Sequence, residues 1–230
     1  MRLKALKKAF PYTVPVLLGY LFLGIAFGVL LSSKGYNVIW AIIMSVIIYA
    51  GSMQFVAVSL IVSPFNLGAA FLMTLLVNAR HIFYGLSLLE KFKISEKLKP
   101  YMIFSLTDET YSLLCAIEPP EDVNKKWFMF FISLLDQSYW IIGGIIGTVA
   151  GTLIDFNSKG IDFAMTAIFI AIFVEQWEKN KNNIPAILGV VISIFSLIIF
   201  GKNTFIIFSM VLILIALTLL GKNFKNKGGI

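Results

Sequence analysis

At 230 residues, with 59% hydrophobic and 13% charged side chains and a mean hydropathy of +0.89, the chain carries more apolar surface than one soluble core can hide. The excess must face lipid, which makes the fold class all-α: a polytopic helical integral membrane protein. The net charge of +7 does not indicate a nucleic-acid partner, because the basic residues are spread over loops and both termini, with no basic stripe among solvent-facing aromatics.

In chain order the apolar runs are approximately 12–31, 38–62, 67–89, 101–117, 127–154, 161–174, 184–200 and 204–220. About 20 residues cross the hydrocarbon layer as a helix, so six to eight membrane helices are expected. The segment Met1–Lys8 has the charge pattern of a signal peptide. The run after it is too long for an h-region and lacks a small-x-small cleavage site, so it reads as a retained first span. No soluble domain fits between runs, which leaves one membrane domain, 1–230.

Ser33-Lys34-Gly35-Tyr36-Asn37 echoes Ser158-Lys159-Gly160-Ile161-Asp162 at an offset of 125 residues, and the runs of the halves fall into step. Two internal repeats, about 1–117 and 127–220, are the expectation, an arrangement from which transporters are often built. If all eight runs cross, with the N-terminus cytoplasmic, 11 lysines and arginines lie inside and 7 outside. If 38–62 and 161–174 instead enter and leave by the same face, the split becomes 14 to 4. The second arrangement is favoured: broken or re-entrant helices, and inverted repeats of three crossings each.

The stretch Thr74–Gly85 concentrates polar chemistry inside an apolar run. Asn78, His81 and Gly85 share one helical face, and Arg80 and Tyr84 share another. An arginine at bilayer depth is normally turned inward and paired. The bland alternatives are that Arg80 snorkels and that His81 donates to a backbone carbonyl. Ser105, Asp108, Glu109 and Ser112 fall at helical spacing on one face, which makes the two acids candidates for an Arg80 partner, a proton site, or both; otherwise they are simply solvated.

In Tyr49–Phe55, Gly51 and Ser52 are the expected helix break and Gln54 faces a polar cavity, or else bonds across helices. Asp136, with Tyr139, and Asp162 are further candidates for substrate binding or coupling. Gly24 and Gly28, and Gly143, Gly147 and Gly151, form GxxxG patterns read as helix-packing positions. Cys115 is expected to be a small buried hydrophobe; one cysteine excludes an intrachain disulfide. No metal-ligand spacing, Walker loop or Gly-x-Ser-x-Gly elbow is present, so no metal, no cofactor and no enzymatic activity are expected.

Tyr49-Ala50-Gly51-Ser52-Met53-Gln54-Phe55 resembles the glycine-serine-x-glutamine-phenylalanine segment of AzlC-type proteins, and Val77–Gly85 resembles their asparagine-x-arginine-histidine motif. Thr107–Thr110 and Gly160–Phe169 are similar to two further signatures of that family, in matching order over nearly the whole chain. The resemblance implies an exporter of branched-chain amino acids (leucine, isoleucine and valine, with methionine as a further candidate) in the bacterial plasma membrane. It also implies a small AzlD-type membrane subunit as partner. Proton coupling follows from the titratable groups. The rival reading is a non-transporting scaffold or assembly subunit.

Overall fold

The structure is a computed structural model, which describes residues 2–62, 66–95, 97–153, 170, 173–174, 177–178 and 183–226. Its helices are α1 (Arg2–Ser33), α2 (Val38–Ile47), α3 (Gly51–Val62), α4 (Leu67–Leu88), α5 (Lys99–Phe104), α6 (Asp108–Ala116), α7 (Lys125–Leu153) and α8 (Ile184–Asn226), with a 3₁₀ turn at Lys91–Ser95. No strand occurs among the described residues, so the chain is the all-α membrane protein its composition demands. Four described stretches are long and apolar enough to cross a bilayer: α1, Ala70–Leu88, α7 and Ile184–Gly201. The chain forms two compact units, Met1–Phe65 with Val77–Met165, and Asn66–Leu76 with Thr166–Ile230.

The first unit is organised on α1 and α7, which lie side by side and parallel. Arg2 sits over the Trp127 ring at 4.2 Å, Tyr20 meets Trp140, and a Cβ on Gly24 or Gly28 would run into the backbone of Gly143 or Gly144. At the end where both helices begin, Ala5, Ala9, Phe92, Met102, Leu114, Val123 and Phe128 form one buried cluster. This amino end is where the basic first turns of α1 lie, and Lys4 pairs there with Asp122 at 2.9 Å.

Two helical hairpins dip into this frame from opposite ends. The first starts at the far end, where Asn37 caps α2 by accepting from the Ile39 N–H. α2 descends beside α7 until the Val46 carbonyl accepts from Gln137, a group near the middle of α7. There Tyr49 adopts φ 38 and the chain turns back. α3 opens with Gly51 against Trp140 and returns towards the far end, where Phe55 meets Phe27. With 10 and 12 residues, each limb spans only about 15–18 Å, half a bilayer. The break therefore centres on Tyr49; Gly51 and Ser52, expected to form it, are the first turn of the outgoing helix. Gly51 packs closely there: a Cβ would meet the Trp140 indole at 3.2 Å, so the ring would have to give by a few tenths of an ångström.

The second hairpin corrects an expectation. Run 101–117 does not cross; it splits at Ser105–Thr107 into α5 and α6, and both open ends lie at the amino end. Met102, Leu106 and Leu114 all belong to the amino-end cluster, and Lys91 Nζ donates to the carbonyls of Leu114 (2.6 Å) and Ile117 (3.4 Å). The physical reason stands in the sequence: Thr107 is an N-cap whose hydroxyl accepts the Thr110 N–H, followed by two acids in a first turn. Ser105, Asp108, Glu109 and Ser112 thus do not share one continuous helix face. With this run folded back, α1 and α7 run parallel, and the inverted relation expected between the halves loses its basis.

Cys115 is exposed, not buried, as suits an apolar side chain whose solvent is lipid. In the second unit, α8 kinks at Gly201 (φ 69) and exposes Ile187, Val191, Ile194, Phe195 and Ile198, a lipid-compatible surface. The expected re-entrant segment 161–174 lies almost wholly outside the described residues, as do Asp162 and the echo at 158–162.

Candidate functional site

The hairpin tips meet halfway along the first unit, so the N-termini of α3 and α6 converge. Peptide dipoles leave partial positive charge and free N–H groups at such ends, the usual setting for an anion. Arg80 stands between them. It lies eight residues before the end of the 22-residue α4, about 12 Å from that end, which sets it well inside the apolar stretch. Its guanidinium donates to Asp108 Oδ2 in the first turn of α6 and to Ser52 Oγ (3.2 Å) in the first turn of α3. Tyr84, one turn further along α4, donates to Asp108 Oδ1 at 2.7 Å. The Arg80 and Asp108 side chains are 43% and 28% exposed, so this ion pair is not sealed in a core.

Behind the pair runs a chain of hydroxyls. The Tyr20 hydroxyl lies within hydrogen-bond reach of both Thr107 Oγ1 and Glu109 Oε2 (2.7 Å). Thr107 Oγ1 is 3.1 Å from Thr110 Oγ1, which donates to Asp136 Oδ2 at 2.7 Å. Tyr20, Thr107, Thr110 and Asp136 are buried. Glu109 is exposed along one flank, although protein surrounds its carboxyl on most sides. Asp136 Oδ1 is buried without a hydrogen-bond partner, and the buried Tyr49 hydroxyl lies near Thr110 and Asp136.

The other sequence candidates separate from this centre. Gln54 is fully buried; its Oε1 accepts from Trp140 Nε1 (2.8 Å) and its amide reaches Ser45 (3.4 Å), which ties α2, α3 and α7 together. His81 Nδ1 lies 3.3 Å from the Asn78 carbonyl, and the Asn78 side-chain oxygen is buried without a partner. Asp136 and Tyr139 do not bond to each other, since Tyr139 turns to Thr13 at 2.9 Å. The five candidate packing glycines lie between α1 and α7.

The family model described as AzlC protein matches residues 15–154, more than half of the chain. The chain belongs to the AzlC family. It is 49% identical over 218 residues to the branched-chain amino acid transport protein AzlC of Bacillus subtilis, covering 95% of this chain and 86% of that protein. An uncharacterized membrane protein of Helicobacter pylori is 44% identical over 223 residues (97% and 98% covered), and the inner membrane protein YgaZ of Escherichia coli is 24% identical over 179 residues (74% and 72%). No solved structure matches.

In this AzlC-family chain, three segments far apart in sequence meet at one place: 51–55 opens α3, 78–85 lies in the second half of α4, and 107–110 opens α6. Tyr20, Thr107, Thr110 and Tyr49 were not singled out as site residues from sequence. Thr107 and Thr110 carried a signal, since a threonine followed by two acids marks a helix start inside an apolar run. Tyr20 carried none, because a tyrosine in a first span reads as an interfacial anchor.

Proposed function

We propose that this chain is a branched-chain amino-acid permease that exports leucine, isoleucine and valine, with methionine as a further candidate. The carrying observation is Arg80 at the meeting point of two half-helix N-termini, opposed by Asp108. Discontinuous helices that end at mid-membrane, with their positive ends aimed at a substrate carboxylate, are a recurrent design in secondary transporters. A zwitterionic amino acid carries the same two charges as the Arg80–Asp108 pair, in reverse. Its carboxylate goes to Arg80 and the α3 N-terminus, and its ammonium to Asp108. Burying the aliphatic side chain adds roughly 1.5–3 kcal/mol. Export is coupled to protons taken up by the carboxyls beside the pair. No step calls for enzymatic chemistry.

Arg2, Lys4, Lys7 and Lys8 share the amino end with the segments holding Lys91, Lys93, Lys97, Lys99, Lys125 and Lys126, whereas Lys34 lies at the far end. By the positive-inside rule the amino end faces the cytoplasm of a bacterial plasma membrane. A small AzlD-type subunit completes the unit. The scaffold alternative leaned on glycine faces free for a partner. Those glycines are engaged between α1 and α7, which supports the permease reading.

The test is leucine, isoleucine and valine efflux from dipeptide-loaded cells expressing the chain with and without the small subunit. Efflux should rise above background and vanish in Arg80→Ala at unchanged membrane level. No efflux of any of these amino acids, with both subunits folded, would refute the permease reading. Exchanging the charges (Arg80→Asp with Asp108→Arg) should abolish transport, whereas a scaffold would tolerate it.

A further inference from the structure

We propose that Glu109, Tyr20, Thr107, Thr110 and Asp136 form a proton relay, which carries a proton between the carboxyl of Glu109, exposed along one flank, and the fully buried carboxyl of Asp136. The inference rests on the permease reading and names the path by which its coupling proton reaches the core of the helix frame. The Tyr20 hydroxyl has one proton and two acceptors in reach, Thr107 Oγ1 and Glu109 Oε2, so it serves one at a time. Each arrangement fixes the direction of every other hydroxyl.

When Tyr20 donates to Thr107, Thr107 donates to Thr110 and Thr110 to Asp136, and Glu109 holds the proton and donates to Tyr20. When Tyr20 donates to Glu109, the chain reverses: Asp136 holds the proton and donates to Thr110, Thr110 donates to Thr107, and Thr107 to Tyr20. The two states differ by one proton, which leaves the carboxyl at one end and arrives at the other. Each O–H passes its own proton on, one bond breaking as the next forms, and no outside reagent is consumed. Thr107 Oγ1 has two lone pairs, so it accepts the Thr110 N–H in both states and the cap of α6 survives the transfer.

The second observation stands at the inner end. Asp136 meets no cation among the described residues, and its Oδ1 is buried without a partner, with the Tyr49 hydroxyl close by. A lone carboxylate in such a place is costly, and a proton delivered along the chain relieves the cost. Other titratable groups face both ends. Asp108 and Arg80 stand beside Glu109; Tyr49, Tyr101, Tyr139 and Glu109 surround Asp136.

The experiment follows the proton itself. Purified protein in liposomes of phosphatidylethanolamine and phosphatidylglycerol is given a pH jump, and the carboxylic C=O stretch is followed by infrared spectroscopy. The Asp136 band is assigned by its loss in Asp136→Asn. Protonation of Asp136 should be as fast in Thr110→Ser as in the parent, and slower by at least about tenfold in Thr110→Val and Tyr20→Phe. Parent-like rates in both hydroxyl-deleting variants would overturn the relay, as would the absence of an Asp136 band at every pH. Leucine counterflow in the same liposomes, with the small subunit present, separates the two claims. Its absence in the parent refutes the permease reading while the infrared result stands. Counterflow kept within about threefold in Thr110→Val, with leucine-driven proton movement lost, is what the relay predicts.

Discussion

The parallel contact of α1 and α7 depends on backbones meeting without side chains between them, and Gly147→Ala tests this directly. A Cβ at Gly147 would lie 2.1 Å from the Ile25 carbonyl oxygen and 2.7 Å from its carbon and Cα, where an ordinary contact is 3.4–4 Å. The shortfall is about 1.3 Å, and the obstacle is helix backbone, which cannot rotate away as a side chain does. The helices must therefore part by about 1 Å, and a gap of that size forfeits a quarter to a half of the dispersion energy of the facing atoms. Gly24 and Gly28 lie in the same seam, so the loss is shared along several turns. We place the cost at the upper end of overpacking, roughly 3 kcal/mol. For a chain of this size that is on the order of ten degrees in melting temperature. The control is Gly19→Ala on the same helix, where nothing lies within 4 Å; it should be neutral or stabilising by up to about 1 kcal/mol from helix propensity. Gly151→Ala, which meets mainly the Ser32 side chain at 2.8 Å, should fall between them. Thermal melts of detergent-purified variants, read by fluorescence-detected size exclusion, give the order. A Gly147→Ala protein that melts with Gly19→Ala would refute the close-packed seam.

Three further outcomes follow from the site and its supports. Gln54→Leu strands the buried Trp140 indole N–H and should cost about 1–3 kcal/mol, and adding Trp140→Phe should recover part of the loss in a double-mutant cycle. Arg80→Lys keeps the charge but not the fork that joins Ser52 and Asp108, so leucine efflux should fall by at least about tenfold; parent-like efflux would show that a point charge suffices. At the amino end, the hydrogen bond and charge from Lys4 hold the Asp122 carboxyl below its ordinary value. A depressed carboxyl stabilises the folded state above the ordinary value of 3.8, and that contribution is lost as pH falls through the folded value. Asp122→Asn should flatten this acid limb in melts across pH, with the effect shrinking at high salt because the pair is exposed.

The sequence made the helical class and the residues at the centre legible, but not the way the chain folds back to assemble them. Arg80 and Asp108 stand out because charge inside an apolar run is costly, and cost is visible in composition. The break in 38–62 was expected from Gly51, the residue that most easily bends; the chain bends at the buried Tyr49 instead, in a conformation tyrosine rarely adopts. The break in 101–117 was hidden by periodicity. Asp108, Glu109 and Ser112 fit a helical stripe whether the helix begins at 101 or at 108, and only the cap residue Thr107 distinguishes the two. Cys115 and the apolar face of α8 show the same limit from another side, because hydrophobicity says that a residue avoids water, not whether it meets protein or lipid.

The two hairpins and the Arg80–Asp108 pair explain one another electrostatically. A helix broken at mid-membrane must satisfy its freed backbone groups, and at the amino-end hairpin this is done: Thr107 caps α6 at its start and Lys91 closes its last carbonyls. At the far-end hairpin, Gln137 takes the Val46 carbonyl of α2. Two N-terminal dipoles and a guanidinium then gather positive charge at one depth, which is tolerable only with an anion among them. Asp108 is that anion, and it is the first residue of α6, so its position is set by the same hairpin that creates the field. On the proposed function, a substrate carboxylate that takes Arg80 frees Asp108 for the substrate ammonium, so the charge at that depth is balanced with the amino acid bound and without it. Asp108→Asn should therefore impair more than binding. It removes the anion that holds Arg80 between the tips, so accessibility of a cysteine placed at Ser52 should rise in Asp108→Asn without substrate and fall again when leucine is added. A cysteine at Ser52 equally reactive in both backgrounds would show that the tips are held by packing alone.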